Sequence, residues 1–198
     1  MPTSTLRTIC WIPTWNKDRE GVGLEHLLLG ERSADSVVLA FDEQHGPFRL
    51  TYRLAWDAAW LLREADLAVM SARGSRRLSL RSDGQGGWQH ADGRAIDELD
   101  GCIDIDIWPT PFTNSFPIWR EPLAVAERRE FRMAWVAAPE LTVQPQPQAY
   151  TRLGERLYRF ENLDGSGFAA ELPLDEDGLV LDYPDLFRRV GVGDALHR

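Results

Sequence analysis

The chain has 198 residues, of which 43% are hydrophobic and 27% charged, and its formal net charge is −9. This composition excludes a wholly disordered chain, and the length suffices to bury a core without disulfide staples. The acidity argues against nucleic acid and anionic membrane surfaces as partners, because Lys17 is the only lysine and the arginines are spread along the chain rather than gathered in one patch.

The opening residues, Met1 to Cys10, lack the basic start and apolar run of a secretion signal. No window approaches the roughly 20 apolar residues of a membrane span. The expectation is a cytoplasmic protein, read as one domain over residues 1–198. Cys10 and Cys102, distant in sequence, are expected to be reduced core thiols.

Ser36 to Phe41 reads as a short strand rich in valine and leucine. Phe48, Leu50, Tyr52, Leu54 and Trp56 recur at every second position, which places them on one face of a strand. Ala58 to Ala68 reads as a continuation of that strand rather than as a helix. Arg76 to Arg81 is a further strand. Ile103, Ile105 and Ile107 alternate with Asp104 and Asp106 on another. Pro109 to Trp119 contains three prolines and room for one short helix beginning near Pro111.

Beyond it, Phe131, Met133 and Trp135 form the next apolar strand face. Pro139 to Tyr150, with alternating glutamine and proline, reads as an irregular extended connection on the surface. Phe168, Ala170 and Leu172, and then Leu179 and Leu181, suggest two more faces, and Pro184 to Val190 a terminal turn of helix. Asp-Gly pairs at 83–84, 92–93, 100–101, 164–165 and 177–178 supply the positive-φ corners of antiparallel strands. The fold class is therefore mainly β, a large antiparallel sheet, curved or rolled, with one or two short helices.

Catalytic signatures are scarce. The four histidines are isolated, and no Cys-x-x-Cys or His-x-x-x-His spacing occurs, so no metal and no cofactor is expected. Asp104 and Asp106 point the same way from one strand. They could bind a divalent cation with a nucleotide sugar, share a proton in acid/base work, hydrogen-bond a ligand, or face solvent from a half-buried strand. Trp108 and Trp119 bracket a proline-rich polar stretch that no strand face claims. Thr113, Asn114 and Arg120 place donors and acceptors between these indoles, as a hydroxyl-rich ligand requires, although such residues also cap helices and turns.

Asp100 to Asp106, running into Thr110 to Asn114 and Pro117-Ile118, resembles the putative glycolipid-binding family of bacterial proteins. Asp177 to Arg189 resembles that family's C-terminal signature, and Tyr52 to Trp60, with Asp57, fits its pattern. The resemblance implies a spiral β-roll wrapped around a single helix, a homodimer, and a glycolipid or other amphipathic small molecule as partner. It supplies no catalytic residue. Relatives tend to carry a basic pair after Pro-Ile where this chain has Trp119-Arg120, which implies a more neutral ligand here. Three readings follow: a carrier or binding protein holding an amphipath inside the rolled sheet, with Asp104, Asp106, Trp108, Thr113, Asn114, Trp119 and Arg120 as ligand contacts; a homodimeric interaction protein without a cavity; and an enzyme acting on a sugar through Asp104 and Asp106.

Overall fold

The computed structural model describes residues 6–15 and 23–191. The protein is mainly β with one short helix, and its sheets curl into a half-barrel. The first sheet is built from β1 (Arg7–Pro13), β2 (Leu24–Leu29), β3 (Ser33–Asp42), β4 (Gly46–Trp56), β5 (Leu62–Ser71), β6 (Gly74–Ser82), β7 (Trp88–His90), β13 (Asp182–Tyr183) and β14 (Phe187–Val190). Its order is β13-β14-β1-β2-β3-β4-β5-β6-β7, with every pair antiparallel. The second holds β8 (Asp104–Trp108), β9 (Arg128–Ala137), β10 (Thr142–Arg152), β11 (Leu157–Asn162) and β12 (Ala169–Pro173), in the order β12-β11-β10-β9-β8. The β8–β9 pair is parallel. Between them a 3-10 turn at Phe112–Asn114 leads into α1 (Ser115–Arg120).

The period-two pattern of β4 is realised: Phe48, Leu50, Tyr52, Leu54 and Trp56 are all buried. They meet Leu27, Leu67 and Trp11 from neighbouring strands and Phe112, Phe116 and Ile118 from the helical segment in one core. Each large side chain so buried contributes about 1.5–3 kcal/mol. These rings fill the inside of the half-barrel. The opposite face of the same sheet is open: Leu24, Leu39, Arg49 and Met70 stand opposite one another in a cross-strand row, and Leu39 and Met70 are 49% and 53% exposed.

Several elements differ from the sequence reading. Ala58 to Ala68 does not prolong β4. Asp57 turns the chain, accepting the backbone N–H of Ala59 and Leu61 on Oδ1, and β5 runs back beside β4. Pro139 to Tyr150 is no loose connection, because β10 occupies most of it. Its prolines are tolerated because alternation turns their nitrogen sites away from β9. Pro147 presents its carbonyl on that far side, where Leu163 N–H donates to it at 3.0 Å. Pairing with β11 begins only at Gln148, so Pro145 and Pro147 interrupt no ladder. Pro184 to Val190 contains a turn and then β14 instead of a helix, since Phe187 to Val190 finds the open edge of β1. All five Asp-Gly glycines adopt positive φ, between 72° and 88°.

Candidate functional site

Asp104 and Asp106 leave β8 on the same side, as residues two apart on a strand must. Segment 109–114 and α1 fold back over that side, burying Asp104 and half-burying Asp106, so neither is the solvent-facing residue that alternation alone allowed. Asp104 is 1% exposed. Arg120, at the end of α1, clasps it with both prongs: Nε donates to Oδ1 at 3.0 Å and Nη2 to Oδ2 at 2.7 Å. Burial pushes the Asp104 carboxyl up and the guanidinium pulls it back down.

Asp106 has a different shell. Its Oδ1 accepts from Thr113 Oγ1 at 3.2 Å and its Oδ2 from Gln148 Nε2 at 2.6 Å. Both donors are neutral, and burial holds its pKa above the usual carboxylate value. Thr113 is itself fixed because its Oγ1 accepts Ile107 N–H at 3.1 Å. Gln148 is fully buried, and its carbonyl Oε1 has no partner among the described residues. Asn114 Nδ2 donates to Tyr150 OH at 2.9 Å.

Asp106, Thr110 and Asn114 line a pocket of about 50 Å³ together with Trp108, Trp135, Tyr183 and Phe187. Its volume suits roughly one or two waters, or one edge of a sugar ring. Trp108 is held there by Trp15, 5.0 Å away between ring centroids, and by Phe187 at 6.0 Å. Of the residues singled out from sequence, Asp106, Trp108, Thr113 and Asn114 therefore converge. Asp104 and Arg120 satisfy each other beside them. Trp119 joins a second aromatic cluster with Trp60 and opens onto a separate rim groove.

The family model described as putative glycolipid-binding matches residues 12–189. The chain belongs to this family. A crystal structure of a DUF1089 family protein from Pseudomonas aeruginosa is similar to it, with 50% sequence identity and a TM-score of 0.84; the match covers 87% of this chain and 94% of that one. No curated protein matches. Among the described residues no helix is long and apolar enough to cross a membrane, and no group of three or more His, Cys, Asp or Glu side chains could hold a metal ion. Cys10 and Cys102 are free thiols.

The sequence reading missed Glu25, which this family member buries to 1% exposure on β2. Its Oε1 accepts three hydroxyls: Tyr52 at 2.5 Å, Ser36 at 2.9 Å and Thr110 at 2.9 Å. Its Oε2 has no partner among the described residues. Burial is the main cause that raises its pKa to about 7, against the opposing pull of the three hydroxyls. Thr110 thus joins the Glu25 cluster to the Asp106 pocket. The signal was present in β2, where Glu25 shares the parity of Leu27 and Leu29 and so faces inward with them.

Proposed function

We propose that the protein binds a glycolipid or another sugar-bearing amphipath, and that the Asp106 pocket receives hydroxyls of its head group. The observation that carries this reading is a carboxylate without a cation at the edge of an aromatic recess. Asp106 lines the pocket and is held by neutral donors only, Thr113 and Gln148. An ionised carboxylate so held keeps acceptor capacity, which a ligand rich in hydroxyl donors would use. Trp108 and Trp135 supply apolar walls suited to the C–H face of a sugar. Since the core rings fill the inside of the roll, an acyl chain would lie along the surface beyond the pocket mouth.

The arrangement favours a neutral head group. Arg120 is consumed by Asp104, so it offers no free cation to an acidic ligand. The same pair weighs against catalysis through two carboxylates, because Asp104 is enclosed and neutralised. The test is mass spectrometry of an organic extract from the purified, undenatured protein. A sugar-bearing amphipath near one equivalent supports the reading; an extract containing phospholipid alone would overturn it.

A homodimer is a second reading, favoured by the exposed Leu24, Leu39 and Met70 that flank Arg49 on the outer sheet face. Sedimentation of Leu39→Lys against wild type tests it: loss of a dimer supports it, and an unchanged monomer removes it.

A further inference from the structure

A groove of about 530 Å³ lies at the rim of the half-barrel, away from the Asp106 pocket, between Trp60, Trp119, Leu29, Arg7, Glu31 and Asp177. Two partly exposed indoles line it and lean on each other, their ring centroids 4.4 Å apart. A third, Trp56, stacks beneath Trp60 at 5.8 Å. Trp56 is buried, and its indole N–H has no acceptor among the described residues.

Both indoles pack against the core and are fixed at the groove by local devices. Trp60 sits at φ +62°, a region that bulky residues rarely occupy. The 57–61 turn forces it there: Asp57 accepts the N–H of Ala59 and Leu61 and is itself clamped by Arg63 through Nη2 at 2.6 Å. Trp119 donates its indole N–H to Asp177 C=O at 2.7 Å. Gly178 lets that turn approach so closely that an added Cβ would stand 2.8 Å from Trp119 Nε1. The result is an aromatic platform bordered by carboxylates. Asp177 is paired with Arg7 at 2.6 Å, whereas Glu176, also on the groove, has no ion-pair partner among the described residues.

We infer that the Trp60–Trp119 rim groove is a saccharide-stacking site, distinct from the Asp106 pocket. Indole faces suit the apolar C–H face of a sugar ring, while the bordering carboxylates accept its hydroxyls. Leu29 is the one aliphatic side chain lining the groove and its remaining apolar wall is indole, while an alkyl chain laid there would strip water from Glu176. The two rings lean on each other instead of facing across a gap, so they form no cage for a quaternary ammonium.

The test uses the full chain and the indole N–H resonances of Trp60 and Trp119, assigned through Trp60→Gly and Trp119→Phe. The probes are maltose, cellobiose and diacetylchitobiose, with submicellar dodecyl maltoside and dodecylphosphocholine as chain-bearing controls. At least one disaccharide should shift both resonances, and dodecylphosphocholine should shift neither. Trp60→Gly, which suits the positive φ and keeps the turn, should weaken that disaccharide about tenfold. Trp60→Tyr should restore most of the loss, and Asp106→Asn should leave the rim shifts unchanged. The inference is overturned if no disaccharide moves the two resonances, if dodecylphosphocholine moves them as strongly, or if Asp106→Asn abolishes the shifts. Conversion of a dimer to a monomer by Trp60→Gly in sedimentation would also overturn it, assigning the rim to an interface between copies.

Discussion

Asp104 and Asp106 stand two residues apart on one strand, point the same way and are covered by the same helical segment, yet their surroundings make them different groups. Asp104 meets a guanidinium in bidentate geometry and closes a local charge balance. Asp106 meets a hydroxyl and an amide, and it opens onto a pocket. The first arrangement holds α1 against β8; the second keeps an acceptor at the edge of an aromatic recess. What decides the role of each carboxylate is which residue of the 109–120 segment lands on it.

The largest effect should come from breaking the paired side. Arg120→Met leaves Asp104 charged and buried without a cation, and denaturant unfolding should show a loss of about 3–5 kcal/mol near neutral pH. Part of that loss should return on acidification, as Asp104 protonates. Replacing both partners, in Asp104→Leu with Arg120→Met, should recover most of it.

Glu25 extends the unpaired side and gives a pH signature. Its carboxyl titrates near 7 in the folded protein against 4.5 as a free group. The folded chain therefore binds this proton more tightly than the unfolded chain. The resulting stability is complete below about pH 4.5 and is lost as pH rises through about 7. The span corresponds to about 3 kcal/mol. Stability curves of wild type and Glu25→Gln should differ by that slope over this window, and parallel curves would show that Glu25 is not protonated on folding.

Gly178→Ala probes what holds α1 in place. Ser115 Oγ donates to Gly178 C=O at 3.0 Å and Trp119 donates to Asp177 C=O, so this turn clamps both ends of the helix. A side chain at φ +79°, 2.8 Å from the indole, should cost about 1–2 kcal/mol and shift the Trp119 resonance. The smallest effect on stability belongs to Asp106→Asn, within about 1 kcal/mol by thermal unfolding. Gln148 can turn its amide so that its carbonyl accepts from the new amide, and the burial cost of a charge disappears.

Much of the fold was legible because strand periodicity and Asp-Gly corners are local signals. Phe48 to Trp56 declared its buried face outright, and the convergence of Asp106, Thr113 and Asn114 followed from their closeness in sequence. What failed depended on distant partners. Gln144 to Gln148 became a strand because β9 lay alongside and the prolines faced the empty side. Phe187 to Val190 became a strand because the edge of β1 was free. Arg120 looked like a ligand contact because nothing local reveals that Asp104 would claim it. Glu25 was legible by parity, but its hydroxyl shell joins residues 11, 27 and 85 positions away.

The most direct test compares ligand retention in Asp106→Asn and in the Asp104→Leu/Arg120→Met double variant, each purified without denaturation and extracted alongside wild type for mass spectrometry. The account predicts that the double variant keeps the sugar-bearing amphipath while Asp106→Asn loses most of it with the fold intact. Full retention by Asp106→Asn, or loss confined to the double variant, would contradict the division of roles between the two carboxylates.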